Sequence, residues 1–303
     1  MVGVLLLAGA GPAGCGAAAE ASAAYTKVLV IVEENETYDA IIGSGDAPYI
    51  TELAHTYGQA TALDAGYPAE CPSLAAYVIL TSGDQHGICD DDPPADHVLD
   101  GPSVFAQVAA SGREWRLYGE SMPRPCATSD SADGRFVVRH TPAAYYSGVR
   151  PDCRRWDVPL GTLDGGAFHD DLAAGLPALS YVIPDVCNDM HGGAACGGRD
   201  SRADVRAGDD WLRDALPRVM AGPDYAAGRL VVVLTWDEGT KRDNHIPTVV
   251  ISPSTRRDKA GKPATLCSVL GLVSEVLAVE PLGCAADARR LAPAFHIDPT
   301  ARS

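Results

Sequence analysis

Apolar residues come in short runs separated by polar, Gly- and Pro-rich stretches, and the runs alternate between a strand-like and a helical period. Lys27 to Val32 is nearly continuous, apolar and β-branched, the pattern of a strand buried on both faces of a parallel sheet. It ends abruptly in Glu33-Glu34-Asn35. Further strands are predicted around Trp115 to Tyr118, Ala178 to Ile183, Leu230 to Leu234 and Thr248 to Ser252. Between them the spacing predicts helices near Pro48 to Tyr57, after Pro72-Ser73, from Ser103 to Ala110, from Asp209-Asp210 to about Met220, and from Cys267 to Val279. The acidic pair at 209 and 210 suits a helix N-terminus. Strands alternating with helices predict an α/β fold with a largely parallel central sheet and helices on both faces. One domain over residues 25–303 is expected, with 122–175, rich in Pro, Gly, Ser and Asp, as long loops or a small cap.

Composition narrows the class. A chain of 303 residues, 46% hydrophobic, buries a large core, which excludes intrinsic disorder. Lys and Arg number 24 against 40 Asp and Glu, and the net charge of -16 opposes binding to nucleic acid or to an anionic membrane surface. The apolar run Val2 to Ala13 is far shorter than the roughly 20 residues of a membrane span, so no transmembrane segment is predicted. It reads as the core of a signal peptide, with residues 1–24 as the leader and secretion as the expected destination. Pro12-Ala13-Gly14-Cys15 also resembles a lipobox, which would anchor the chain by lipid at Cys15.

Setting Cys15 aside leaves eight of nine cysteines, an even number that in an exported chain reads as a disulfide framework. About a hundred pairings are open to eight cysteines. Sequence proximity favours Cys71 with Cys89, Cys126 with Cys153, Cys187 with Cys196, and Cys267 with Cys284. A metal site at Cys187, His191 and Cys196 is the rival, although no second close Cys/His pair completes a tetrahedral set.

Ligands of such sheets bind beyond the carboxyl ends of the strands. Two polar clusters fall there: Glu33-Glu34-Asn35 after the first strand and Asp237-Glu238 after the strand Leu230 to Leu234. Both offer oxygen ligands to a hard divalent cation; either cluster alone reads more simply as a solvated loop or a cap of the next helix. Ser73 stands at the start of a helix, where the positive end and free N–H groups favour an alkoxide and a bound phosphate. Serine is also a common helix cap, and capping is the simpler role for Ser73 taken alone. Asp185, Asp189 and His191 follow the strand Ala178 to Ile183, and His245 follows the Asp237 cluster. Each could ligate metal, and the histidines could move a proton near neutral pH.

Taken together, seven segments in order, from residue 34 to residue 247, resemble the bacterial phosphoesterases of acid phosphatase and phospholipase C type, in the alkaline-phosphatase-like superfamily. Glu34-Asn35-Glu36-Thr37-Tyr38-Asp39 is similar to an opening E-N-x-[ST]-[FY]-D motif. Pro72-Ser73-Leu74 through Tyr77 and Thr81-Ser82-Gly83 is similar to P-S-L-P-N-Y followed by T-S-G, and Tyr118 to Pro123 to Y-x-E-S-M-P. His140-Thr141-Pro142 resembles K-H-N-P, Asp185 with Asn188-Asp189-Met190-His191 resembles P-D-x-x-N-D-x-H, and Gly208 to Leu212 resembles G-D-x-W-L. Asp237-Glu238-Gly239 with His245-Ile246-Pro247 closes the series as D-E-G and H-x-P. The chain departs from the pattern at Cys71, where many relatives have His, at Ala75-Ala76 in place of Pro-Asn, and at Arg139 in place of Lys.

The resemblance implies an alkaline-phosphatase-like fold and metal-assisted hydrolysis of a phosphoester substrate through a phosphoserine at Ser73. It implies Glu34, Asn35, Asp237 and Glu238 as ligands of a divalent cation. His191, His140 and His245 would contact phosphoryl oxygens, protonate the leaving group, or fill a second metal site with Asp185. A carboxylate-rich set suits Mg²⁺, Ca²⁺ or Mn²⁺, and use of the histidines would favour Zn²⁺. Phosphomonoesters and phospholipid diesters both remain open as substrates. So does a weakened surface module that binds phosphorylated ligands, given the missing Asn and His. A sulfatase fits poorly, because Ser73-Leu74-Ala75-Ala76-Tyr77 lacks the Pro and Arg of the C/S-x-P-x-R context.

Overall fold

The computed structural model describes residues 24–240 and 242–299; the leader expected at residues 1–24 falls outside them but for Ala24, and so does Cys15. The strands are β1 (Lys27–Glu33), β2 (Gly58–Ala60), β3 (Leu63–Asp64), β4 (Trp115–Gly119), β5 (Asp157–Pro159), β6 (Leu179–Ile183), β7 (Leu230–Trp236), β8 (Thr248–Ile251), β9 (Asp258–Ala260) and β10 (Ala264–Thr265). Eight of them form one sheet in the order β5-β4-β6-β1-β7-β8-β2-β9. All pairs in it are parallel except those made by β8. The remaining two, β3 and β10, pair in parallel with each other. Every residue of β7 is buried, as is every residue of β1 after Lys27, so both faces of the sheet are covered as their unbroken apolar runs require.

The helix Leu74–Ser82 is buried along its whole length and packs on Leu266–Leu277. It ends at Gly83, whose φ of 71° is left-handed; a Cβ there would sit 2.2 Å from the Leu282 carbonyl oxygen, so only glycine allows this close approach. The segment 122–175 carries three 3-10 turns, the helices Arg150–Trp156 and Ala167–Ala174, and β5 at the sheet edge. The two- and three-residue strands β2, β3, β5, β9 and β10 are too short to leave a period in the sequence. The four cysteine pairs are those that sequence proximity favours. With Cys187 and Cys196 joined, the rival metal site at these residues is excluded. Among the described residues no helix is long and apolar enough to cross a membrane.

One helix boundary differs from the sequence expectation. The helix expected to open at Asp209-Asp210 begins eight residues earlier and spans Ser201–Ala221, capped by Asp200, whose side chain accepts the Ala203 amide. Asp209 is buried in its middle and caps a different helix: its carboxylate accepts the amides of Tyr49 (3.2 Å) and Ile50 (2.8 Å) at the start of Pro48–Thr56. Arg213, one turn on, pairs with the same carboxylate at 2.6 Å. Replacing Asp209 by Ala is expected to cost about 1–3 kcal/mol of folding free energy, because two helix-end amides and a buried-side ion pair lose their acceptor. Urea unfolding of Asp209→Ala beside wild type measures it, and a midpoint unchanged at equal slope would refute the capping role.

Candidate active site

Three adjacent parallel strands, β6, β1 and β7, finish at the same level and deliver acidic residues together. Backbone hydrogen bonds hold the segments past the strand ends: the Asp237 amide continues the β1–β7 ladder by donating to the Glu33 carbonyl (3.0 Å), and the Glu34 amide donates to the carbonyl of Asp189 in the loop after β6 (2.8 Å). The chain then turns at Asn35, in the left-handed region at φ 56°, a conformation asparagine tolerates better than most residues. Its amide donates to Asp237 Oδ1 at 3.2 Å, which ties the two strand-end clusters to each other.

Glu34 is the hub. Its Oε2 accepts from Ser73 Oγ (3.2 Å) and Asn35 Nδ2 (2.8 Å), and its Oε1 accepts from the Tyr77 hydroxyl (2.7 Å). Ser73 and Tyr77 lie one helical turn apart, so one helix supplies both donors. The Ser73 side chain makes no cap bond. The first helical amide, Leu74 N–H, is taken by Asp91 Oδ1 at 3.1 Å, and the amides a capping hydroxyl would serve, those of Ala75 and Ala76, bond to the Pro72 and Ser73 carbonyls at 3.1 and 2.9 Å, so the serine hydroxyl is left to the carboxylate. Thr81 and Ser82 at the far end of the helix bond instead to Tyr77, Val78, Tyr146 and His86.

The site is overloaded with buried negative charge. Glu34, Asp189 and Asp237 are all wholly buried. Burial raises the proton affinity of each well above the ordinary carboxyl range; Asp189 adds to the effect on Glu34, Glu34 to that on Asp237, and Glu33 to that on Asp189. Asp189 Oδ2 and Asp237 Oδ2 accept no hydrogen bond. His140 stands between two of them, with Nε2 3.0 Å from Glu34 Oε1 and Nδ1 3.5 Å from Asp189 Oδ2. The Nε2 contact is off the line a ring N–H needs, so it is not a hydrogen bond. Burial, with Arg139 next to it, holds His140 neutral by pushing its pKa well below the usual histidine range.

These orphaned oxygens fit a cation. Glu34, His140 and Asp189 offer ligand atoms all within 4.8 Å of one another. Asp237 and Asn35 are hydrogen-bonded beside them, and Glu238 accepts from Tyr67 at 3.1 Å. An oxygen-rich set with one imidazole is the chemistry of a divalent metal site.

Of the residues expected from sequence, Ser73, Glu34, Asn35, Asp237 and His140 are brought together, with Glu238 adjoining through the Asp237 backbone. His191 borders them, its ring 6.0 Å from that of His140 and its amide bonded to Asp189 Oδ1 at 2.8 Å. Burial, followed among the lowering effects by Arg139 and Arg199, lowers the His191 pKa as well. Two expected residues are spent elsewhere. Asp185 is engaged outside this cluster: Arg135 holds its carboxylate at 2.7 and 3.0 Å and Ser121 donates at 2.6 Å. The acid of this loop that reaches the cluster is Asp189. His245 stacks on Tyr38 with centroids 4.6 Å apart, and its Nε2 is 3.2 Å from the Thr61 carbonyl. Tyr67 and Asp91 had no sequence signal as site residues, because each acts through a contact distant in the chain; Tyr77 lay within the matched Pro72-to-Tyr77 segment without a role assigned to it.

Comparison with known proteins gives the family and the fold. A model of the Phosphoesterase family matches residues 44–276. The chain is 29% identical over 276 residues to the phosphatidylinositol-3-phosphatase of Mycobacterium tuberculosis (strain ATCC 25618 / H37Rv), covering 90% of this chain and 84% of that one. It superposes on a protein of the alkaline phosphatase superfamily from Vibrio parahaemolyticus with a TM-score of 0.59 at 10% identity, over 85% of this chain and 67% of that chain. The lipoteichoic acid synthase LtaP of Listeria monocytogenes gives 0.58 at 9% identity, over 87% and 75%. At such identities the solved structures speak for the fold.

The buried carboxyls make the metal-free protein sensitive to pH. Folded-state pKa values raised above the unfolded ones of about 4 mean that the folded state holds protons the unfolded chain has released. Stability from this source is full below pH ~4 and is lost as pH rises through the raised values. Thermal unfolding in chelator from pH 4 to 8 is expected to show a falling melting temperature, less steep in Asp189→Asn. Identical slopes in the two proteins would mean that Asp189 carries no such strain.

Proposed function

Since the chain belongs to the Phosphoesterase family and is a phosphoric ester hydrolase, we propose that Ser73 is its nucleophile and Glu34 the group that receives the serine proton. The observation that carries this reading is the 3.2 Å hydrogen bond from Ser73 Oγ to Glu34 Oε2, made by a serine relieved of capping. Ser73 Oγ bonds to phosphorus as the bond from phosphorus to the leaving oxygen breaks, and the serine proton passes to Glu34. Water then attacks the phosphoserine, its oxygen bonding to phosphorus as the bond from phosphorus to Ser73 Oγ breaks; Glu34 returns the proton to Ser73 Oγ and inorganic phosphate departs. Tyr77 and Asn35 hold the Glu34 carboxylate in one orientation throughout. His140, being neutral, serves as a hydrogen-bonding or ligating group and not as a store of acid. A divalent cation held by Glu34, Asn35, Asp237 and Glu238, with Asp189 and His140 within reach, would supply charge neutralisation and lower the serine pKa.

The name of the relative, a phosphatase acting on a phosphoinositide, favours phosphomonoesters over phospholipase C-type diesters. A binding module without turnover is disfavoured, since the changes at Cys71 and Ala75-Ala76 leave the Ser73 to Glu34 contact in place. Four disulfides support an oxidising, extracellular location. Ser73→Ala is expected to lower kcat on p-nitrophenyl phosphate by roughly a thousandfold or more. Rapid quenching of the wild type with substrate should leave phosphate on the peptide that contains Ser73. Near-normal turnover by Ser73→Ala would point to water as the nucleophile instead.

A further inference from the structure

Asp157, outside the catalytic cluster, is a wholly buried acid that begins β5 at the sheet edge, directly after the helix Arg150–Trp156. Its Oδ1 meets no hydrogen-bond partner, and its Oδ2 lies 3.6 Å from Cys153 Sγ. That sulfur is joined to Cys126 and has no hydrogen to give. Burial pushes the Asp157 carboxyl well above the usual carboxylate range, so the acid keeps its proton. Local structure sets the three residues together. Cys153 and Asp157 are four residues apart, about one helical turn, and the Asp157 amide closes that turn on the Cys153 carbonyl. The Cys126 amide donates to the Asp157 carbonyl at 2.8 Å. An Asp157 oxygen and both sulfurs fall within 4.8 Å of one another. Among the described residues no other disulfide has a carboxyl or imidazole so close to both of its sulfurs.

The two sulfurs differ in access. Cys126 is half-buried in a loop whose residues 123–125 and 128–130 are exposed, whereas Cys153 is wholly buried. A thiolate arriving from solvent therefore meets the Cys126 sulfur. Breaking the bond from that side would leave charge on Cys153, out of water, where a thiolate is least tolerated. The leaving sulfur needs a proton, and Asp157 is the acid in contact with it. We propose that Cys126–Cys153 is a thiol–disulfide exchange site for a dithiol reagent, with Cys126 as the sulfur attacked and Asp157 as the acid that protonates Cys153. The reagent's thiolate bonds to Cys126 Sγ as the Cys126–Cys153 bond breaks; the bonding pair leaves on Cys153 Sγ, which takes the Asp157 proton. The reagent's second thiolate then bonds to its own first sulfur and frees Cys126, which is protonated from water. The reagent is oxidised to a disulfide, the protein bond is reduced to two thiols, and Asp157 regains a proton from water. Run backwards, the same steps make the bond. The loop of 27 residues that it closes carries His140, so exchange at Cys126 would untie the segment that sets the imidazole between Glu34 and Asp189.

Reduction of the folded full chain by dithiothreitol, quenched in acid and followed bond by bond through alkylation and peptide mass, tests this. Asp157→Asn keeps the shape of the side chain and removes the acid. Opening of Cys126–Cys153 should then slow by roughly tenfold or more, a modest share of what a well-placed acid contributes, while the other three disulfides open at their wild-type rates. A smaller loss, or an equal slowing of all four bonds, would overturn the role of Asp157. Glutathione, with a single thiol, supplies the second measurement because its reaction stops at the mixed disulfide. Brief exposure of the wild type should leave glutathione on Cys126. Glutathione on Cys153, or on neither cysteine, would overturn the proposal. Should Asp157→Asn fail to fold, the glutathione map decides alone. Neither measurement reads phosphoester turnover, so the result stands apart from the role of Ser73.

Discussion

Negative charge gathered out of water at the ends of β6, β1 and β7 is the constraint around which the rest of the molecule is arranged. These strands must be apolar on both faces to sit in the middle of a covered sheet, and they are. The β1–β7 ladder carries on for one more residue to Asp237, and the loop after β6 returns to bond the Glu34 amide through the Asp189 carbonyl, which gathers Asp189, Glu34 and Asp237. Buried carboxylates this close repel one another and lack hydration. Donors answer part of the imbalance: Ser73, Tyr77 and Asn35 on Glu34, and Tyr67 on Glu238. The oxygens left without donors are what makes the place suited to a cation, so the sheet's core and the site's chemistry are one problem solved together.

The parts of this arrangement written in local sequence were readable. An apolar run ending in Glu33-Glu34-Asn35, a second ending before Asp237, and a serine after Pro72 each announce a strand end or a helix start. What was not readable depended on partners far along the chain. Asp185 and Asp189 occupy the same loop and look equivalent in sequence; Arg135, some fifty residues earlier, captures the first and leaves the second to the cluster. Asp209 has the look of a helix cap because it is one, but for Pro48–Thr56 across an interface and not for its own helix. His245 has the look of a site residue, and a ring stack on Tyr38 uses it instead.

Ser73 shows how an ambiguous residue is resolved by a neighbour. A serine before a helix is more often a cap than a nucleophile, and nothing within the segment decides between them. The decision lies with Glu34, which accepts the Ser73 hydroxyl at 3.2 Å, while the Ala75 and Ala76 amides that a cap would serve bond to the Pro72 and Ser73 carbonyls. The helix itself is buried on every side and closed at its other end by Gly83, so it has no freedom to slide and present a different residue to Glu34.

Among the described residues the eight cysteines are joined as consecutive pairs along the chain: 71 to 89, 126 to 153, 187 to 196 and 267 to 284. None of these loops encloses or interlaces with another. A chain oxidised in the order in which it emerges from a ribosome or a translocation channel would therefore complete each bond before the next thiol arrived. Native connectivity is then the default product of vectorial oxidation, reached without a reshuffling step, and the segment holding Ser73 is stapled before most of the sheet it will serve has been made.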